Sequence, residues 1–223
     1  MDVETMRRQA ETPSIGGEAD LESVAADLAD AFTDDVAFDW FLRADARRSE
    51  ARLRFFQLIV RMGHTSGARI ERPACGGAAA IWMPFEALGP LPLRDELRAL
   101  PVMLNATGWG RFTRLMALRA DMDKHHPMER KHAYLWFLGV THAAQGHGVG
   151  SRLLKVATDR LDAAALPAYL ETQTERNLAL YRRHGFEVTS EHRPRPDGPM
   201  LWSMWREPQS PEPASEAIEE LIE

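Results

Sequence analysis

The chain has 223 residues, of which 44% are hydrophobic, and its formal net charge is −6. This length and apolar content suit one globular domain. No apolar run approaches the length of a membrane span. The N-terminus lacks the basic and apolar regions of a secretory signal. The lone cysteine, Cys75, excludes an internal disulfide and fits a reducing compartment, so we expect a cytoplasmic protein.

The negative charge is concentrated at the end of the chain. Residues 208–223 contain five glutamates and no basic residue, which leaves 28 acidic residues against 27 basic ones elsewhere. A nearly neutral body without a basic block argues against a nucleic-acid partner, and no segment suggests a membrane partner. We therefore expect a single domain over residues 1–207 and an acidic tail over residues 208–223.

The first half of the chain predicts mostly helices. In chain order we expect a short strand within residues 5–11, helices at 20–32 and 46–62, antiparallel strands at 68–72 and 75–83, and helices at 91–105 and 110–123 interrupted by Pro92, Pro101 and Gly108. Between the first two helices, a loop with Asp34, Asp35, Phe38, Trp40 and Phe41 is either the rim of an acceptor site or a set of core aromatics. The pair at 91–123 either covers an acceptor pocket or packs as two ordinary helices.

The second half alternates strands and helices. We expect a strand at 132–140, helices at 148–164 and 175–184, a strand at 168–172, and a closing hairpin formed by 186–193 and 200–206. Gly185 suits a left-handed helix cap. Histidines follow in the turn at 124–127 and at positions 132, 142, 147 and 184. Their spacing matches no usual zinc pattern, so we expect no metal site.

A glycine-rich turn joins the buried strand at 132–140 to an amphipathic helix. Free amides at a helix N-terminus favour a phosphate, and glycines let it approach the backbone. The ending Gly150-Ser151-Arg152 excludes a P-loop. The dinucleotide fingerprint fails by one position, although Glu171 lies where its ribose-binding acid would be, so that interpretation stays as a weaker alternative. An ordinary strand-to-helix turn is the third possibility.

The spacing Gln145-x-x-Gly148-x-Gly150 resembles the pyrophosphate loop of the GNAT family of acyl-CoA N-acyltransferases. Downstream, Asn177-x-x-x-Tyr181 followed by Gly185-Phe186 is similar to the second motif of that family. The segment 131–207 is most similar to the puromycin N-acetyltransferase-like branch. It contains, in order, Leu-Gly-Val, Gln-Gly-x-Gly-x-Gly, Leu-Pro-Ala-x-Leu-Glu-Thr, Arg-Asn-Leu-x-x-Tyr and Gly-Phe-x-Val.

The resemblance implies an α/β fold whose mixed, mostly antiparallel sheet has a splayed parallel strand pair and flanking helices. It also implies that acetyl-CoA binds as cosubstrate, with pantetheine along the splayed strand and an N–H near Val140 facing the thioester oxygen. His142 stands where the family often has proline. The residues implied in cosubstrate binding are Leu138, Gly139, Val140, Gln145, Gly146, His147, Gly148, Val149, Gly150, Ser151 and Asn177.

The same resemblance implies a catalytic role for Tyr181, whereas the strand at 132–140 carries no carboxylate where some members of the family place a base. Glu171, at the end of the next strand, is either that base or a structural carboxylate. Tyr181 would protonate the departing thiolate, because a phenol is protonated at neutral pH. Glu171 is the best candidate for the base, and a chain of waters is the alternative. The expected reaction is direct transfer of an acetyl group to a primary amine of a small molecule in a ternary complex, by a monomer or homodimer. The alternatives are a non-catalytic acyl-CoA sensor of the same fold and, more weakly, a dinucleotide-binding oxidoreductase with a wholly parallel sheet.

Overall fold

The computed structural model describes residues 2–90 and 92–209, so the acidic tail from residue 210 onward lies outside the described residues. The helices are α1 (Val3–Glu11), α2 (Leu21–Ala31), α3 (Val36–Phe41), α4 (Arg48–Thr65), α5 (Leu93–Thr107), α6 (Phe112–His125), α7 (Val149–Ala163) and α8 (Leu178–Arg183). The strands are β1 (Ser14–Ile15), β2 (Arg69–Arg72), β3 (Ala78–Pro84), β4 (Ala133–Val140), β5 (Ala168–Thr172), β6 (Glu187–His192) and β7 (Leu201–Arg206). None of the described helices has both the length and the apolar character needed to cross a membrane.

One mixed sheet forms the centre of the molecule. Its strand order is β1-β2-β3-β4-β5-β7-β6. Strands β4 and β5 run parallel, and the other neighbouring strands pair antiparallel. The predicted mixed, mostly antiparallel architecture is therefore confirmed. It is not the wholly parallel sheet that a dinucleotide-binding oxidoreductase requires.

The parallel pair is joined at one end and open at the other. Its register contains two residue pairs, Ala133 with Ala168 and Tyr134 with Tyr169. Beyond them β4 continues to Val140 against β3 alone, while β5 continues against β7. The two strands thus diverge as predicted and leave an edge of β4 without a strand partner.

The side chains of the central strands alternate between two layers of helices. On β3, Ala79 and Ile81 face the core formed with α2, α3 and α4, whereas Ala80 and Trp82 face the core formed with α7 and α8. This is the two-residue periodicity of a strand that is covered on both faces. The helices therefore leave the open edge of β4 as the accessible part of the sheet centre.

The predicted strand within residues 5–11 is wrong, because these residues belong to helix α1. The carboxylate of Asp2 accepts hydrogen bonds from the N–H groups of Glu4 and Thr5 at 3.2 and 3.1 Å, which caps the helix. Met6 and Ala10, four residues apart, are buried beside α7 on one face of α1.

Two further expectations from the first half are wrong in detail. Pro101 lies inside α5 and does not interrupt it, although proline inside a helix costs about 3 kcal/mol. Contacts between α4 and α5 favour the continuous helix. The aromatic loop after α2 is helix α3, and its side chains at 38, 40 and 41 are buried in the core. Phe38 and Phe41 also line a cavity beside β4, so these residues are core aromatics that form part of a pocket wall.

Candidate active site

The glycine-rich turn before α7 presents free backbone amides. Gly146 and Gly148 have φ values of +77° and +78°, a conformation that glycine adopts without strain. The N–H groups of residues 146–148 have no acceptor among residues 2–90 and 92–209. Those of residues 149–151 lie in the first helical turn, where no intrahelical acceptor exists. Together these amides form a site for an anion at the positive end of the helix dipole.

The entry to this turn is anchored on the end of α2. The N–H of His142 donates to Asp30 at 2.7 Å, and its Nε2 lies 3.2 Å from Asp34. The side chain of Gln145 donates to the carbonyl of Val140 at 3.0 Å and closes the turn from inside. These contacts hold the turn in place at the position where the family often has proline.

The open edge of β4 carries backbone groups that have no strand partner. The N–H of Thr141 donates to Gly77 at 2.9 Å, toward the β3 side. Because successive residues of a strand point to opposite edges, the N–H groups of Leu138 and Val140 point toward the gap between β4 and β5. Gly139 is needed for a different reason: a Cβ there would lie 2.6 Å from Leu28 of α2.

Beneath this edge lies a cavity of about 860 Å³. Four of the predicted site residues line it, namely Leu138, Glu171, Asn177 and Tyr181. The other predicted cosubstrate residues do not line it: Gly139, Val140 and residues 145–151 belong to the strand edge and to the turn above. The structure therefore separates the predicted site into an anion-binding turn and a reaction cavity joined at Leu138.

Glu171 is a buried carboxylate facing this cavity. Its side chain is 1% exposed, Tyr169 donates to Oε1 at 3.0 Å, and Oε2 has no hydrogen-bond partner among the described residues. Burial raises the pKa of Glu171 to about 7. A carboxylate with this pKa is partly ionised at neutral pH and can accept a proton there.

Tyr181 and Asn177 lie four residues apart and both line the cavity, as their predicted common helical face requires. The ring of Tyr181 packs edge-on against Phe186, with ring centroids 6.1 Å apart. Burial, with the nearby charge of Asp35, raises the pKa of Tyr181 above its usual value. The phenol therefore remains protonated and can serve as a hydrogen donor at neutral pH.

Several polar groups around Glu171 could not be predicted from the sequence. Tyr134 of β4, His126 after α6 and Asp123 of α6 also line the cavity. Burial lowers the pKa of His126 to about 4, so this imidazole is neutral. The turn at 124–127 and the strand at 132–140 were recognised, but nothing in their local spacing indicates that they meet at β5.

A second polar cluster lies where α6 meets β6. Potential ligand atoms of Asp121, His125 and His192 lie within 4.8 Å of one another. Both ring nitrogens of His192 already have partners, Asp121 at 2.6 Å and Ser203 at 3.0 Å. The rings of His125 and His192 stack with centroids 3.8 Å apart. We therefore describe the cluster as a hydrogen-bonded assembly.

Comparison with known proteins agrees with this geometry. Residues 105–186 match the model of the acetyltransferase (GNAT) family. Mycothiol acetyltransferase of Jonesia denitrificans is 44% identical over 61 residues, which are 26% of this chain and 19% of that protein. The chain thus spans about a fifth of the length of this curated relative.

Solved structures of acetyltransferases share the fold. A protein of Corynebacterium glutamicum described as histone acetyltransferase HPA2 and related acetyltransferase has a TM-score of 0.65 at 23% identity, over 90% of this chain and 99% of that one. Ribosomal-protein-S18-alanine N-acetyltransferase of Escherichia coli has a TM-score of 0.52 at 14% identity, over 91% and 96%. The family match covers residues 105–186, and the chain as a whole has the mixed α/β fold of GNAT acetyltransferases.

Proposed function

We propose that this protein transfers an acetyl group from acetyl-CoA to a primary amine of a small molecule, directly and in a ternary complex. One observation carries the proposal: a single cavity joins the open edge of β4 to a phenol and to a buried carboxylate. The phenol of Tyr181 can protonate a leaving thiolate, and Glu171 can take a proton from an amine. A sensor that only binds acyl-CoA needs neither group.

The cosubstrate fits the turn and the strand edge. The amides of residues 146–151 suit a pyrophosphate, and the unpaired backbone groups of β4 suit the amides of pantetheine. Bound acetyl-CoA supplies an activated acetyl group with a thiol as leaving group. The N–H of Val140 points into the gap where it can stabilise negative charge on the thioester oxygen. The finer likeness to the puromycin-like branch rests on the motifs of residues 131–207.

The residues then act in sequence. Glu171 removes a proton from the ammonium group, and the neutral nitrogen forms a bond to the acetyl carbon while the carbon–sulfur bond breaks. Tyr181 donates its proton to the sulfur, and the proton lost by the new amide nitrogen restores the phenol. The cavity holds the amine and the thioester together, so no acyl-enzyme is required.

The far part of the cavity predicts the kind of amine. Its walls are mostly apolar and come from α3, α4, α5 and α6. The charged side chains in the lining are Asp35, Glu96, Arg119, Asp123 and Glu171, and Arg119 is paired with Glu96 at 3.1 Å. Arg119 also lies 3.8 Å from Asp123, so Asp35 and Glu171 are the acids of the lining that Arg119 does not neutralise, and they attract a cation. A cationic amine on a bulky apolar body fits this lining best. Of the two interpretations of residues 91–123, the one in which they shape an acceptor pocket agrees with it.

An acceptor screen tests this function. Acetyl-CoA is mixed with pairs of amines that differ in one feature, and the free thiol is measured. We expect phenylethylamine to exceed ethylamine in kcat/KM by roughly 10²-fold because its ring buries apolar surface, and hexylamine to exceed 6-aminohexanoate because the acids repel a carboxylate. If no amine releases thiol while acetyl-CoA binds, the protein is a sensor. Binding of NAD(H) in place of acetyl-CoA would favour an oxidoreductase.

A charge placed in the apolar wall should weaken acceptor binding. Met116 of α6 lines the cavity. Met116→Lys should raise the KM for an apolar amine by about tenfold or more, because the ammonium repels the substrate and occupies apolar space. Met116→Leu is the matched control and should change KM little. An unchanged KM in the lysine variant would place the acceptor elsewhere. The KM for acetyl-CoA should stay the same in both variants.

The pH dependence should reveal the ionisation of Glu171. Because its pKa is about 7, the base is ionised above that pH and protonated below it. We expect kcat/KM for the amine to fall about tenfold per pH unit below about pH 7. The same profile is measured with two acceptors whose amines differ in pKa. The decrease in kcat/KM caused by Glu171 should stay at the same pH, whereas the change caused by the amine should move with the pKa of that amine. If kcat/KM does not change near pH 7, the alternative in which a chain of waters acts as the base is favoured.

A further inference from the structure

A continuous chain of hydrogen bonds leads away from the buried carboxylate. Oε1 of Glu171 lies 3.0 Å from Oη of Tyr169, which lies 2.9 Å from Oγ of Ser203. That Oγ lies 3.0 Å from Nε2 of His192, whose Nδ1 lies 2.6 Å from Oδ2 of Asp121. Ser203 is 1% exposed and Tyr169 is 1% exposed, so the middle of the chain is shielded from water.

The number of hydrogens in this chain determines what it can do. Its four links need four hydrogens. The two hydroxyls supply two, and a neutral imidazole supplies one. The fourth is an additional proton on Asp121, His192 or Glu171. Without it, two neighbouring acceptors would face each other with no hydrogen between them, which is costly in a buried site.

The position of this proton sets the state of the carboxylate. When it is on His192 or Asp121, every hydroxyl points toward Glu171, which is then ionised and ready to act as a base. When it is on Glu171, every hydroxyl points toward His192, which is then neutral. The two states differ in proton positions and hydroxyl rotations.

We infer that Tyr169, Ser203, His192 and Asp121 form a proton relay that carries the amine proton from Glu171 to water at the surface of α6. This inference rests on the proposed function for the source of the proton. Glu171 touches the substrate, whereas the relay residues act through it. Glu171 lines the cavity, and its Oε2 has no hydrogen-bond partner among the described residues, so the relay occupies only Oε1.

The proton balance closes over one turnover. Oε2 takes the proton of the ammonium while Tyr169 still donates to Oε1. His192 breaks its bond to Ser203, releases the Nε2 proton to water and keeps the Nδ1–H that donates to Asp121, so that Nε2 can accept a hydrogen bond. The hydroxyls of Ser203 and Tyr169 then turn toward His192, and the carboxyl turns to donate its O–H to Tyr169. A shift of one proton along each of these links restores the carboxylate and the protonated imidazole. The net change is one proton moved from ammonium to water.

Other ionisable groups face both ends of the relay. Around Glu171 these are Tyr134, His126 and Asp123. Burial and, to a lesser degree, the charge of Asp123 raise the pKa of the carboxyl, and burial keeps the imidazole of His126 neutral. At the other end, Asp121 and His125 of α6 contact His192. Asp121 and His125 are partly exposed, with side-chain exposures of 13% and 26%, so a proton on this end can reach water.

Ser203→Ala removes the middle of the relay. In dilute buffer we expect turnover to fall by about tenfold, and to recover as the concentration of a small base such as imidazole rises, because that base can reach Glu171 through the cavity. Wild-type turnover should not depend on the buffer. Ser190→Ala is the matched control: Ser190 stands opposite Ser203 on β6 and its hydroxyl has no hydrogen-bond partner among the described residues. It should behave as wild type.

A second measurement needs no turnover. Glu171→Gln changes the hydrogen supply at one end of the relay, so it should shift the ¹⁵N resonances of the His192 ring in the resting protein. When Glu171→Gln is introduced into the Ser203→Ala variant, the ¹⁵N resonances of the His192 ring should not shift, because the relay is already interrupted. If Ser203→Ala does not fold, Tyr169→Phe cuts the next link and should show the same recovery with imidazole.

The outcomes separate the two ideas. The relay is overturned if imidazole does not restore the turnover of Ser203→Ala and if Glu171→Gln does not shift the His192 resonances. Ser203 would then have a structural role only. Equal turnover of Ser203→Ala and wild type in every buffer would overturn the relay as well. If no amine is acetylated by the wild-type protein but the resonances are coupled, the relay exists and the proposed function is the part that fails.

Discussion

Gly148→Asp is expected to abolish measurable binding of acetyl-CoA while leaving the fold intact. Gly148 stands directly before α7 with a φ of +78°, and its amide belongs to the turn that we assign to pyrophosphate. A carboxylate at this point repels a phosphate at short range and fills the space that the anion needs. We expect affinity to fall by at least about 10²-fold, as measured by calorimetry.

The fold should tolerate this change. An introduced Cβ would lie 2.7 Å from Nη1 of Arg152, the far end of a flexible side chain that can move. Aspartate enters the left-handed region more readily than most residues, at a cost of about 1–2 kcal/mol.

Gly67→Asp is the matched control. Gly67 has a φ of +80°, and no atom lies within 4 Å of the place that a Cβ would take there, so the substitution carries a similar backbone cost. It lies between α4 and β2, away from the turn. The control should bind acetyl-CoA as wild type does. Undiminished binding by Gly148→Asp would remove the pyrophosphate assignment, and weak binding by both variants would point to a loss of folding.

The second half of the chain could be predicted closely because its signals are local. The strand over Ala168–Thr172 has the predicted bounds, since an apolar run lies between two clear breaks. Gly185 has a φ of +81° where a left-handed cap was expected. The open edge of β4 was predicted from the family resemblance, and the register of the parallel pair agrees with it.

The first half could be predicted less well because its signals compete. The cap at Asp2 precedes a helix whose polar residues obscure the spacing of Met6 and Ala10. Pro101 normally ends a helix, and contacts with α4 override this local preference. In both cases tertiary contacts favour a structure that the local pattern alone does not indicate.

The surroundings of Glu171 could not be predicted from spacing at all. His192 and Asp121 are 71 residues apart in the chain, and Tyr169 and Ser203 are 34 residues apart. They meet because β7 lies between β5 and β6, so that Glu171 stands opposite Ser203. Topology, rather than a motif, brings these polar groups together.

Tyr181→Phe should lower turnover by roughly 10²-fold or more, the usual effect of removing a positioned general acid. The substitution removes one hydroxyl and keeps the ring that packs against Phe186. Affinity for acetyl-CoA should therefore stay near that of the wild-type protein, and the melting temperature should change little. Turnover is measured with saturating acceptor under conditions where chemistry limits the rate.

The dependence on the acyl donor separates a general acid from a structural tyrosine. If Tyr181 protonates the thiolate, the loss should shrink with an acetyl thioester of a more acidic thiol, because that thiolate leaves without help. Tyr134→Phe is a matched control, since it removes another buried hydroxyl of the same cavity; its effect should not depend on the donor. A Tyr181→Phe protein that turns over as fast as wild type with acetyl-CoA, or one that loses only stability, would return Tyr181 to a packing role.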